Sequence, residues 1–234
     1  IIISDGDSNS DVIMKISDEG GGIISEPIGG IHGNFAMLGV FEKGKADVRF
    51  TARSNGGHAS APPKNSPVAR LAAFVDSMEK HPPFRKKFEP EVSAMFARLA
   101  AYAPFALRLL FGNLWLFAPL MKLVMPALSP QAGAMLRTTA AFTMLSGSDA
   151  CNVLPQEASV WANLRFIPHQ GMDESLALIK KRAEKYGIET EVLSASDYSA
   201  PADIHGEAWR RVTDTIAEVF PGLAWSPYVM TGAT

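Results

Sequence analysis

The chain has 234 residues, 47% of them hydrophobic and 20% charged, with a formal net charge of −2 and one cysteine. Such a length and apolar content exclude a disordered chain and call for one large or two small domains, while interspersed charges of both signs exclude the basic footprint of a nucleic-acid binder. Cys151 alone rules out an intramolecular disulfide framework and a thiolate metal cluster. That fits a reducing, cytoplasmic compartment, although large secreted enzymes can also lack disulfides.

Ile1-Ile2-Ile3 shows no initiator methionine, basic n-region or cleavage site, so no targeting signal is read. The run from Asp5 to Asp11 is acidic and polar like a calcium loop, but no register supplies the Gly and Glu that an EF-hand requires, and it is expected to be a polar loop. Residues 12–16 predict a short apolar strand leading into Ser17-Asp18-Glu19. Residues 20–33 hold six glycines and one proline and are expected to be loop. Ala46, Val48, Phe50 and Ala52 alternate with Asp47, Arg49, Thr51 and Arg53, a period of two that predicts a half-buried antiparallel strand. After the turn Gly56-Gly57-His58-Ala59-Ser60, Pro67 opens a helix with Val68, Leu71, Ala72, Val75 and Met78 on one face, stopped by Pro82-Pro83.

Residues 91–136 are rich in Phe, Leu, Trp and Met, with prolines breaking the helices. The apolar run 109–121, between Arg108 and Lys122, is only about thirteen residues against the roughly 20 of a membrane span, so no transmembrane helix is expected. Residues 138–145 and 159–167 predict two further strands joined by a turn over 146–155. Asp173 caps a helix with Leu176, Ile179, Ala183 and Tyr186 on one face, and residues 188–193 predict a strand. A helix over 206–220 and a strand-like 225–230 follow. The order β-α-β-β-α-β predicts an α+β, ferredoxin-like layer: a four-stranded antiparallel sheet with two helices on one face.

Asp18-Glu19-Gly20-Gly21, Gly56-Gly57-His58, Asn152-Val153-Leu154-Pro155 and Asn163-Leu164-Arg165, in this order, resemble the dinuclear-zinc hydrolase family of carboxypeptidase S and aminoacylase, in its N-acyl-amino-acid hydrolase branch. The resemblance implies a catalytic-domain fragment at 1–43, a lid or dimerisation domain at 44–200 carrying 91–136 as a helical hydrophobic insert, and a return into the catalytic domain at 201–234. It implies two zinc ions per active site, with Asp18 or Glu19 as a metal ligand. His58 would donate to the oxyanion of a facing subunit's site, Asn152 would touch the substrate near the scissile carbonyl, and Arg165 would grip the substrate's free carboxylate. The reaction implied is hydrolysis of the amide of a small peptide or N-acyl amino acid, by a homodimer joined through the lid.

The chain has no His-x-Asp and no Glu-Glu pair. It is therefore expected to be the middle of such an enzyme and inactive by itself, with weak zinc binding at most. Simpler roles stand beside these: a solvated turn for Asp18, Glu19 and His58, a self-bonded turn Asn for Asn152, and a surface salt bridge for Arg165. The segment 91–136 could be extra lid core, a subunit interface, the wall of an acyl pocket or a membrane-surface module. The alternative for the whole chain is a non-catalytic ferredoxin-like dimerisation or small-molecule-binding module.

Overall fold

The computed structural model describes residues 2–3, 15–16 and 21–232. Asp18, Glu19, the polar run 5–11 and most of the expected strand 12–16 lie outside the described residues. In chain order the elements are β1 (Ile2–Ile3), β2 (Lys15–Ile16), β3 (Gly21–Ser25), β4 (Asn34–Glu42), β5 (Gly44–Arg53), β6 (Gly57–His58), α1 (Pro67–Lys80), α2 (Pro90–Ala100), α3 (Phe105–Gly112), α4 (Leu114–Leu128) and α5 (Pro130–Ala134). Then come β7 (Thr139–Ser146), β8 (Val153–Leu154), β9 (Glu157–Phe166), α6 (Met172–Glu184), β10 (Glu189–Ser196), α7 (Glu207–Val219) and β11 (Ala224–Met230). The chain divides into two compact units, one drawn from residues 1–42, 88–129 and 200–231, the other from 43–87 and 130–199.

The second unit is built on a four-stranded antiparallel sheet in the order β10-β5-β9-β7. With α1 after β5 and α6 after β9, this is the ferredoxin-like arrangement that the element order predicts. Ala46, Val48, Phe50 and Ala52 of β5 and Ala158, Val160, Ala162, Leu164 and Phe166 of β9 are buried on one face, because alternate side chains of a strand share a side. The helices close that face with Leu71, Phe74 and Met78 from α1 and Ile179 and Ala183 from α6. Phe74 is fully buried and sits in an aromatic cluster, its ring 4.9 Å from Phe50, 5.6 Å from Phe142 and 6.1 Å from Tyr186.

Two helix details differ from the sequence reading. The buried stripe of α1 runs through Pro67, Leu71, Phe74 and Met78, and Val68 is turned out to solvent. Ser66 caps that helix by accepting from the Ala69 N–H at 3.4 Å. Asp173 lies inside the first turn of α6 rather than at its cap; Gly171 is the N-cap and offers no side-chain bond. There the Asp173 carboxylate favours the helix through its N-terminal dipole instead.

The first unit holds a three-stranded sheet in the order β11-β4-β3, parallel between β11 and β4 and antiparallel between β4 and β3. Two of these strands correct the sequence reading: β4 is not predicted, and β3 lies in the glycine-rich stretch expected to be loop. Glycine is what lets β3 form, since a Cβ on Gly21 would fall 1.7 Å from the Met37 carbonyl oxygen. The segment 91–136, expected as an insert of the sheet domain, groups up to residue 129 with this unit. The cause is apolar packing: α2 buries Val92, Met95, Phe96, Leu99 and Ala100, Phe96 meets Phe111 at 4.8 Å, and Phe35 meets Tyr102 edge-on at 5.1 Å. The Arg98 guanidinium lies 3.6 Å above the Trp225 ring, which Trp209 also meets edge-on. Among the described residues no single helix is long and apolar enough to cross a membrane.

Truncating Phe74 to Ala empties the centre of the sheet–helix core. We expect Phe74→Ala to destabilise the protein by about 3–5 kcal/mol, read as a fall in the urea midpoint of a far-UV circular dichroism transition; a change under about 1 kcal/mol would place the core elsewhere.

Candidate functional site

The sequence-selected side chains sit at two ends of one β-ladder. Beyond the sheet, β5 and β9 continue as a narrow ribbon in which Gly57 pairs with Leu154 and His58 with Val153. The ribbon is tied by the Ser54 N–H donating to the Gln156 carbonyl at 2.8 Å and the Ala59 N–H donating to the Asn152 carbonyl at 2.9 Å. Gly56 and Gly57 take φ of +68° and +146°, backbone conformations that glycine adopts without strain. The structure thus brings His58 and Asn152 together at the tip, both exposed.

The His58 ring is fixed locally. The Ser60 N–H donates to Nδ1 at 3.2 Å, and the Ser60 hydroxyl lies 2.8 Å from the same nitrogen. With Nδ1 accepting, the proton of the neutral ring resides on Nε2, which is then the donor. Among the described residues the Asn152 side-chain amide makes no hydrogen bond, so this Asn is not the self-bonded turn residue; Ser148 plays that part, bonding the Ala150 N–H and carbonyl.

Arg165 is at the other end. Arg165 is eight steps along β9 from Glu157, about 26 Å at the rise of a strand, so it stands apart from His58 and Asn152 of its own chain. It lies on the sheet face away from the helices, with Asn163. Its Nε donates to Asn163 Oδ1 at 3.0 Å, Asn163 Nδ2 donates to Asp47 Oδ1 at 2.8 Å, and the Ser194 hydroxyl donates to Asp47 Oδ2 at 3.1 Å. The Asn163 hydrogen bond first, then that of Ser194 and the charges of Lys45 and Arg165, hold the Asp47 carboxyl below its ordinary pKa against slight dehydration. Arg165 is therefore oriented through Nε while its fork carries no acid, and Nη1 is buried without a partner. Among the described residues it forms no salt bridge.

Sequence reasoning missed Lys43. It is 2% exposed, and its ammonium donates to the carbonyls of Ala134 at 3.0 Å and Arg137 at 2.8 Å. The Lys87 N–H donates to the neighbouring Leu136 carbonyl at 2.9 Å. Burial, then the charges of Arg137 and Arg165, lower its pKa from 10.5 to about 7. No periodicity marks this residue, because its anchors lie about ninety positions away.

No group of three or more His, Cys, Asp or Glu side chains able to hold a metal occurs among the described residues. Asp18 and Glu19 lie outside them, so the described residues do not fit a metal centre by themselves. What they form is a ferredoxin-like domain with a histidine-bearing tip and an arginine at its base.

Residues 40–191 match the model of the peptidase dimerisation domain, M20_dimer, and the chain belongs to that family. It is 32% identical over 208 residues to the N-fatty-acyl-amino acid synthase/hydrolase PM20D1 of Homo sapiens, a match covering 88% of this chain and 41% of the relative. It is 29% identical over 221 residues to the probable carboxypeptidase S-like 2 of Dictyostelium discoideum, covering 94% and 42%. The chain thus spans about two fifths of the length of these curated relatives. Its fold is similar to that of human carnosine dipeptidase 1, with a TM-score of 0.54 at 12% identity over 85% of this chain and 45% of that one.

Lys43 makes stability rise with pH above neutrality. Below about pH 7 it is protonated folded and unfolded, and the folded state bears the burial cost. Between about 7 and 10.5 the folded chain has released the proton that the unfolded chain still holds, so stability rises with pH, by up to about 1.4 kcal/mol per unit. Denaturant titrations at pH 6.5 and 9, compared with Lys43→Met, are expected to show the rise in the wild type and its loss in the variant; equal slopes in both would refute the assignment.

Proposed function

We propose that this chain is the lid and dimerisation part, with adjoining catalytic-domain segments, of a metal-dependent hydrolase that cleaves the amide of a peptide or N-acyl amino acid next to a free carboxylate. The observation that carries this reading is Arg165, oriented by Asn163 and Asp47 with no acid on its fork. Membership of the peptidase dimerisation family and likeness to an N-fatty-acyl-amino acid hydrolase and a carboxypeptidase S-like protein support the reaction class. Zinc is the metal this reading carries over, with Asp18 or Glu19 as one ligand. The described residues supply only the lid's side of the site, so the chain by itself is proposed to be inactive, and no step is derived through the metal.

The residues on this chain have separable tasks. Arg165 binds and orients the substrate carboxylate. His58, with Nδ1 satisfied by Ser60, donates from Nε2 to the oxygen that becomes negative as the amide carbon turns tetrahedral. Asn152 offers its free amide beside that oxygen. Because Arg165 stands about 26 Å along β9 from Glu157 and the tip lies beyond Glu157, a single lid cannot present both to one amide, and the tip is proposed to act at the site of a second subunit. The dimer is proposed to form along β7, an edge strand whose Met144 and Leu145 are 60% and 66% exposed and which pairs with no neighbour on its outer side.

The trans arrangement has a direct test. In the catalytically complete protein, His58→Ala is expected to lower kcat by about 100- to 1000-fold, and Arg165→Ala mainly to raise KM. When the two variants are mixed and allowed to exchange subunits, each heterodimer keeps one site with an intact Arg165 and an intact facing His58. Activity on an N-acyl amino acid should then reappear well above the sum of the separate variants. No recovery, despite heterodimers seen by native mass spectrometry, would mean that His58 and Arg165 do not divide between subunits in this way.

A further inference from the structure

Helices α3 and α4 of the first unit present an apolar surface that water does not favour. On α4, Leu114, Met121 and Met125 form the buried stripe. By helical spacing Trp115, Leu116, Leu120 and Leu123 fall on the opposite arc, and they are 81%, 55%, 49% and 71% exposed. Phe105 at the start of α3 is 82% exposed, and Leu109 one turn on is 47% exposed. A helix apolar on every side belongs in a core or against lipid, and a contiguous exposed patch of this kind marks an interaction surface.

Charge and length decide what covers it. Residues 92–148 contain no Asp or Glu, and the part in this unit carries Arg98, Arg108 and Lys122, although the chain as a whole has a net charge of −2. Arg98 is engaged on the Trp225 ring, whereas Arg108, which also donates through Nη2 to the Ala101 and Ala103 carbonyls at 3.3 Å, and Lys122 flank the apolar run. An acid-free, weakly basic apolar face is repelled by nothing at an anionic lipid surface and is attracted to it. With 15 residues, α4 is about 22 Å long, short of the roughly 30 Å hydrocarbon core. The α3 and α4 axes are bent by 107°, so the pair is not one straight span. A large aromatic at the end of such a helix suits the headgroup boundary, where one side of the ring is apolar and the other wet.

We propose that α3 and α4 form an in-plane docking surface for a lipid bilayer bearing anionic headgroups, with Phe105, Trp115 and Leu123 in the acyl boundary and Arg108 and Lys122 at the phosphates. The proposal stands on this unit alone and does not depend on the hydrolase reading.

Flotation of the catalytically complete protein with vesicles of equal parts phosphatidylcholine and phosphatidylglycerol tests it. The chain should float with these vesicles and less with phosphatidylcholine alone, and lipids brominated along the acyl chain should quench fluorescence from Trp115 but not in Trp115→Phe, which still binds. The double variant Trp115→Glu/Leu123→Glu should lose at least about tenfold in partitioning, and Arg108→Gln and Lys122→Gln about fivefold each at low salt. Far-UV circular dichroism shows whether the double variant keeps its fold; if it does not, the quenching difference between the wild type and Trp115→Phe decides. Absence of flotation, flotation unchanged in the folded double variant, or unquenched Trp115 would overturn the proposal. So would light scattering in which the wild type loses a copy when Trp115 and Leu123 become Glu in the folded double variant, since a second copy then closes this face in place of lipid.

Discussion

The antiparallel ladder between β5 and β9 is the constraint on which the rest depends. It pairs ten residues of each strand without a break, from Gly44 opposite Phe166 to Arg53 opposite Glu157. Both strands lie inside the sheet, with β10 and β7 as the edges. A slip of one residue would turn Val48, Phe50, Val160 and Leu164 away from the helices and bring Asp47, Arg49 and Asn163 into the core. The aromatic cluster around Phe74 and the cross-strand pair of Thr51 and Ser159, whose hydroxyls lie 3.0 Å apart, hold the register from the two faces.

That register also distributes the chemistry. Because the same two strands run on into the ribbon of β6 and β8, the residues that stiffen the core also hold His58 and Asn152 at the tip. The polar face of the ladder carries Asp47, Asn163 and Arg165 in a chain of hydrogen bonds, so the arginine is oriented by its own sheet rather than by a loop. The same ladder holds the His58 tip and the Arg165 end a fixed distance apart, as a rigid β-ladder must.

The first unit follows another logic. Its mixed sheet is short, and α2 supplies the buried face that β11 and β4 need. The next two helices bury one stripe each and leave the rest apolar. Pro119 and Pro126 inside α4 remove backbone donors from a helix that would otherwise be regular, and the break between α3 and α4 turns the chain sharply. These helices give the unit's core Phe111, Leu114, Met121 and Met125 and leave their outer faces exposed.

How much of this was legible depended on the range of the interactions involved. Alternation over 46–53, the β-branched and aromatic residues of 138–145 and 159–167, the helical spacing after Pro67 and Asp173 and the glycines before His58 are local signals, and by themselves they determined the four strands, the two helices and the antiparallel α+β class. The order of motifs also singled out His58, Asn152 and Arg165 as residues to inspect. Only the tertiary structure decided that Asn152 shares the tip with His58, through one backbone hydrogen bond across the ribbon, while Arg165 stands at the far end. It alone revealed β3, since a glycine-rich stretch is a strand only where another backbone must approach within the reach of a Cβ, and it alone moved the apolar helices into the first unit. Lys43 shows the limit most plainly. Its burial and its two carbonyl partners arise from chain segments about ninety residues apart, and a contact of that range leaves no periodic trace in the sequence.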